Sequence, residues 1–590
     1  MWPFSLSRSQ RAAAALYVIS CLGNCIEASP LSPLSQHEDS SLASPLSRRQ
    51  SSNPTASNFI RRALHASVVV GSRLYIDGGE LAQYVNGDTD TAVSRINNQT
   101  LSIDLSTAWA NDTVQISAFD KGGSPVFNFP GLWSDGNSAF YLFAGEVSPV
   151  AGDASTPDVA LWKFSSTPAG GGSWAKQATA DPQVFNQLTR PANALVATGQ
   201  STGYVLGGYA SARTDPDSTS ADVPVPGIVA YDWESQKWSN SSAAAFTTFG
   251  TAVSGQMHFV PAFGKDGLLF MFGGESTTPT AWSEKSGQLQ FNNITMYDPA
   301  AGSWYSQVTT GDAPPVRELF CVAGAEGNNG TYEIFVMGGW DAFQGVCYDD
   351  MYILSVPGFH WFKAPTISGG PRAFHTCNVV GKRQMLVVGG VNYNLGVPGD
   401  WKDPDPWSQG LGVFDMTNLS WSSSYDPTAA AYNSPDKVRA WYKQGNGDSV
   451  SWTNNQVRAL FASTNGNSGN SGGGNGSGGA GNASGTEKSS SNTGAIVGGV
   501  VGGVAGLALL AGLAWLLLRR RKRNAAAAAA AAGEKQHPGS GGGYAYQQAP
   551  GGLAEVDGRE VERREKRPEE LPAGEGNEVH ELAGDQGVRK

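Results

Sequence analysis

The segment WKDPDPW (401–407) sets Trp401 and Trp407 around Asp403 and Asp405. Trp340 and Asp341 form a similar pair directly after Gly339. A flat ring beside a carboxylate can stack on a sugar while the carboxylate accepts from its hydroxyls. The same residue types suit the centre of a protein–protein contact, where Trp is enriched, or plain packing between sheets. Covalent chemistry is harder to place. The chain contains no G-x-S-x-G elbow, H-E-x-x-H pair or phosphate-binding loop. GDS (447–449) sits in a Gly/Asn-rich turn and is discounted. No catalytic residue, metal or cofactor is expected.

The elements that would position such residues are repeats. LYIDGGE, GYVLGGY, LLFMFGGE, YEIFVMGGW and QMLVVGG are apolar strands that end on glycine pairs. The pairs are Gly78–Gly79, Gly207–Gly208, Gly273–Gly274, Gly338–Gly339 and Gly389–Gly390. A sixth copy, FYLFAGE, keeps Gly145 and replaces the first glycine with Ala144. Successive second glycines are 66, 63, 66, 65 and 51 residues apart. Each is followed by a strand leading to a tryptophan: Trp109, Trp174, Trp238, Trp304, Trp361 and Trp421. Each unit reads as four short strands. An isolated four-stranded sheet leaves two faces to bury, and radial packing of the units buries them. The reading is all-β, a six-bladed β-propeller, with seven blades left possible. The glycines belong where a strand meets the next blade too closely for a β-carbon.

PRAFHTCNVVGKRQMLVVGG (371–390), followed by VFD and Trp421, and RRALHASVVVGSRLYIDGG (61–79) resemble the kelch repeat. The resemblance covers Phe59 to Tyr425, and the whole layout resembles the single-pass kelch-repeat surface proteins of filamentous fungi. It implies a fold more than an activity. One enzyme type on this fold, resembling galactose oxidase, is the alternative reading. It would need two histidines and two tyrosines around copper, one tyrosine crosslinked to a cysteine. The candidates His65, His258 and His375 read as equivalent positions of the repeat, which a consensus alone explains. Cys347 precedes Tyr348, but neighbours on a strand point to opposite faces. The enzyme reading is therefore disfavoured.

Units longer than a bare repeat of about 50 residues carry their extra residues just after the glycines, at 80–99, 209–227 and 275–293. These loops join the second and third strands and crowd one rim, the expected binding face. Cys321 and Cys377 fall on matching inner strands of neighbouring units and are the preferred disulfide, with Cys347 competing for either partner.

The flanks set the compartment. Residues 1–28 read as a signal peptide, and 29–58 as a disordered Ser/Pro-rich leader with a possible processing site at Arg48–Arg49. The propeller and a C-terminal packing segment occupy 59–463, and a Gly/Asn/Ser-rich stalk 464–494. Residues 495–518 are 24 uncharged residues followed by RRRKR, a transmembrane helix with its cytoplasmic side marked. Gly498, Gly502 and Gly506 share a stripe in it, so a transmembrane homodimer is possible. A low-complexity cytoplasmic tail fills 519–590. Eight sequons, at Asn98, Asn111, Asn240, Asn293, Asn329, Asn418, Asn475 and Asn482, fall on the outer side. The tail holds 13 Lys+Arg against 12 Asp+Glu, so the rest carries 27 against 39. An acidic body argues against nucleic acid. The expectation is a type I single-pass protein of the plasma membrane or another secretory-pathway membrane. Its head would bind an extracellular protein or glycan.

Overall fold

A computed structural model describes residues 54–462, apart from 85–93, 153, 219–221, 279–286 and 367–368. The segments read from sequence as signal peptide, stalk, membrane span and tail, and most of the one read as leader, lie outside the described residues. Among the described residues no helix is long and apolar enough to cross a membrane.

Six sheets, each with an antiparallel four-stranded body, follow one another along the chain; the first and fifth carry a short fifth strand, Arg95–Ile96 and the parallel-paired Thr310–Gly311. Their innermost strands are Phe59–Val70, Asn128–Ser134, Leu195–Thr198, Gln256–Val260, Cys321–Glu326 and Thr376–Val380. Each innermost strand packs against the next around the ring, and the sixth packs against the first. The propeller therefore closes with six blades.

Six apolar clusters lie in the junctions between blades, one per junction. Second strands such as Tyr332–Met337 and Gln384–Val388 are buried along their whole length. Both faces of a blade meet a neighbour, so these strands read as continuous apolar runs rather than alternating ones. Five of the landmark tryptophans lie on outer strands. Trp109 does not: the outer strand of blade 1 is Ser117–Asp120, and Trp109 pairs instead with Tyr425 after blade 6. After the last blade the helix Asn455–Leu460 packs Val457, Leu460 and Phe461, with Trp452, against blades 4 and 5.

The joins between second and third strands, and the links between blades, emerge on one rim, here the loop rim. The two tight turns of each blade emerge on the opposite rim.

Candidate functional site

The glycine pairs form the junctions. In every blade the N–H of the second glycine position donates to a carbonyl at the start of the next blade. These bonds run from Gly79 to Phe127, Gly145 to Pro191, Gly208 to Ala252, Gly274 to Arg317, Gly339 to Arg372 and Gly390 to Arg62, at 2.6–2.9 Å. A β-carbon on Gly207 would lie 2.1 Å from the Ala252 carbonyl oxygen, and one on Gly389 2.4 Å from that of Arg62. With φ of +68° and +66° these residues also occupy the left-handed region.

Two residues beyond each acceptor, the backbone again turns left-handed, now without glycine. Leu64, Phe129, Asn193, Ser254, Leu319 and Phe374 have φ between +52° and +64°. Such values are rare for bulky residues and cost of order 1–3 kcal/mol each. All six side chains line the central channel. Leu64, Phe129, Leu319 and Phe374 belong to connected apolar clusters. The Phe129 and Phe374 rings meet at 5.8 Å although blade 1 separates their blades. Asn193 Nδ2 donates to Ser254 Oγ at 2.7 Å. Backbone bonds tie this ring from Phe374 to Leu319, to Ser254, to Asn193. The six residues make an iris across the loop-rim end of the channel. Sequence inspection did not find it, although RALH, RELF and RAFH (62–65, 317–320, 372–375) align at this register.

The aromatic–carboxylate candidates fill a different role from the ligand contacts expected of them. Trp401 and Trp407 are buried, and so are Asp405, Trp340 and Asp341. Asp405 lies 3.4 Å from Arg61 and 3.3 Å from Arg372, joining blade 1 to blade 6. Asp403, whose side chain is 42% exposed, holds Arg61 at 2.6 Å. The Arg372 guanidinium lies 3.7 Å above the Trp407 ring, which stacks on Trp421. The 401–407 segment is thus a clasp across the closing junction. Asp341 accepts from the N–H groups of Phe343 and Gln344 and so fixes its own hairpin. A ligand reaching these five buried groups would have to open the packing.

Arg317 and Arg372 follow one pattern. Each donates to the carbonyl of the first glycine in its blade and pairs with an aspartate, Asp350 or Asp405. Arg62 holds the equivalent place in blade 1. It is fully buried, and among the described residues none of its guanidinium nitrogens has a hydrogen-bond partner, the group lying 5.7 Å from the Phe59 ring. Burial pushes its pKa down to about 10.

The histidines are not three equivalents. His65 and His375 sit three residues beyond their acceptors, against Gly389 and Gly338 of the preceding blade. His258 lies six beyond, on the opposite face of its strand, and bonds Tyr332 Oη at 2.9 Å. Burial holds all three rings neutral. It takes His258 down to about 4, takes His375 to about 3 with help from Arg372, and takes His65 well below its usual value. Among the described residues the one group of three close ligand-type side chains is Cys321, His375 and Cys377. Its two sulfurs form a disulfide between blades 5 and 6, and Cys347 is buried and free.

Asn98, Asn240, Asn293, Asn329 and Asn418 are exposed, whereas Asn111 is not. Its side-chain amide donates to Leu411 O at 2.8 Å inside the closing junction, so it cannot carry a glycan in the folded head. Asn475 and Asn482 lie outside the described residues.

The apolar surface was also missed. Val150, Val223, Phe249, Val308, Val346, Leu395 and Val397 are the exposed large hydrophobics among the described residues. All seven fall on loops, links or strand ends of the loop rim. Val346 and Leu395 flank Cys347 and Asn394, which are bonded to each other. Asn394 ties their two loops by accepting from Cys347 N and donating to Cys347 O, at 2.8 and 3.2 Å.

Six sheets on one glycine register, closed through their inner strands, define a repeat β-propeller. Residues 132–390 match the KLHDC2/KLHL20/DRC7 Kelch-repeats domain family. A kelch repeat-containing protein of Arthroderma benhamiae is 25% identical over 421 residues, 64% of this chain. The match spans 58% of that relative's length. The propeller is similar to the kelch-repeat family.

Proposed function

We propose that this is a surface interaction protein whose loop rim docks a protein partner outside the cell. The observation that supports this reading is the confinement of the exposed apolar side chains to that rim, with Val346 and Leu395 on two loops that Asn394 ties together. Apolar side chains held out on a braced loop are what a protein interface buries at its centre. A glycan would favour exposed aromatic rings, and the tryptophans proposed for that role are buried. The signal peptide, the stalk, the apolar segment 495–518 and the basic cluster after it support a type I single-pass topology with the head outside. The last described residues pack on blades 4 and 5 beside Gly264, in a turn of the opposite rim.

The test is crosslinking on intact cells with a membrane-impermeant reagent, comparing the full chain with Val346→Asp/Leu395→Asp/Val397→Asp. The expected result is a discrete protein adduct that the triple variant loses while its thermal stability is unchanged. An adduct that persists in the variant would overturn the rim. Absence of labelling of the head would overturn the topology, and retention on polysaccharide alone would return the weight to a glycan.

A further inference from the structure

We propose that the central channel is a binding pocket for a small, neutral, hydroxyl-rich ligand about the size of one or two sugar rings. This site is separate from the loop rim. The channel encloses a cavity of about 390 Å³, within the range of small-molecule sites. The iris closes it on the loop-rim side, which leaves the opposite rim as the entrance.

Its lining is the strongest argument. The chain carries a net charge of -11, yet none of the lining residues is Asp, Glu, Lys or Arg. The three lining histidines are held neutral by burial. A charged ligand would leave water for a site with no counter-charge, which is costly. A neutral ligand meets no such penalty.

The uncharged wall is nevertheless rich in hydrogen-bonding groups, and they are arrayed rather than scattered. Asn378 Nδ2 donates to Ser67 Oγ at 2.6 Å. Ser67 Oγ and Thr376 Oγ1 are hydrogen-bonded at 2.5 Å, and Thr376 lies 3.3 Å from His65 Nε2. Each hydroxyl has one hydrogen and two lone pairs, so the rail keeps capacity for a further partner. Asn193 and Ser254 add polar groups at the floor, beside the Phe129 and Phe374 rings. An apolar face above a rail of hydroxyl and amide groups matches a ligand with one C–H face and several O–H groups. The iris holds its own residues at unfavourable φ, and strain of that kind persists where the surroundings over-determine it.

The experiment is titration calorimetry on the purified full chain. The probes are glucose, N-acetylglucosamine and their β-1,4-linked disaccharides, with glucuronate and glucosamine as charged counterparts. Saturable binding of at least one neutral sugar is expected, with its charged counterpart at least tenfold weaker. Asn378→Leu should weaken binding about tenfold by removing hydrogen bonds, and Thr376→Val should act in the same direction. Both variants are to be shown folded by an unchanged melting profile. Val346→Asp should leave sugar binding unaltered, which separates failure here from failure of the loop-rim reading. No saturation by any neutral probe would overturn the proposal. So would equal binding of glucuronate, or full binding by both folded variants.

Discussion

The junction between blades 2 and 3 and the junction between blades 6 and 1 do the same job with different chemistry. Blades 2 and 3 meet through rings: Trp133 stacks near Phe143 and Tyr231, and Trp238 lies 4.7 Å from both of the latter. Trp133 lies flat on Gly203, where a β-carbon would meet its ring at 2.0 Å. Blades 6 and 1 meet through aliphatic side chains such as Leu74, Ile103, Val388 and Leu411. Around them runs a polar seam: Arg61 with Asp403 and Asp405, Asn111 with Leu411, and Gln409 with Asn111 and Val114. Neighbouring blades are joined by a short link and can dock on apolar contact alone. The closing junction joins residues 295 to 342 apart in sequence. Aliphatic faces slide easily, and directional bonds fix the register there.

The largest expected effect falls on the clasp. Asp405→Ala leaves Arg372 fully buried and Arg61 nearly so with one counter-charge fewer between them. Breaking a buried pair from one side costs about 3–5 kcal/mol, to be read from urea unfolding. Asp405→Asn keeps the shape and part of the bonding, so its cost should be smaller. Equal and negligible costs would mean that the aliphatic contacts close the ring unaided.

The clasp also shows where the sequence was legible. The glycine register could be read because close backbone approach excludes every side chain, and glycine is the one answer. Blade number followed from it. WKDPDPW could not be assigned, because a carboxylate that binds a ligand and one that binds an arginine 342 residues away in sequence are the same residue. Spacing cannot distinguish a tryptophan on an outer strand from one that, like Trp109, stacks on Tyr425 across the closing junction. The iris was hidden for the opposite reason. Leucine and phenylalanine argue against a left-handed backbone, so only alignment of the repeats with one another would have raised it.

A second effect belongs to the edge of the aromatic junction. Glu146 is buried beside Tyr209, Asp222 and Glu80, with Arg213 near. Burial, reinforced by Asp222 and Glu80 against the Tyr209 hydrogen bond and Arg213, pushes its pKa from 4.5 up to about 8. The folded state therefore holds a proton that the unfolded chain gives up. Its contribution to stability is complete below about pH 4.5 and is lost as pH rises through about 8. The buried histidines have lowered values and act with the opposite sign, but their effect is complete by about pH 7. Between pH 7 and 8.5 this group should lower stability by about 1 kcal/mol, and Glu146→Gln should remove that part of the slope, leaving the part due to Glu318, whose carboxyl burial and Glu275 also push well above its usual value. A slope unchanged in the variant would place the responsible proton elsewhere.

The smallest effect separates the two junctions most directly, because it makes the same change in each. Tyr425 donates its hydroxyl to Leu105 O at 2.9 Å in the closing junction. Tyr231 is as deeply buried in the aromatic junction, and among the described residues its hydroxyl has no hydrogen-bond partner. Deleting the oxygen of Tyr425 leaves a carbonyl unpaired, and Tyr425→Phe should cost about 1 kcal/mol. Deleting the oxygen of Tyr231 removes a buried group that was already unpaired. Tyr231→Phe should therefore be neutral or stabilising by up to about 1 kcal/mol, measured in the same denaturant titration. A matching loss at both positions would mean that water or a shifted side chain satisfies Tyr231, and the aromatic junction would then share the polar character of the closing one.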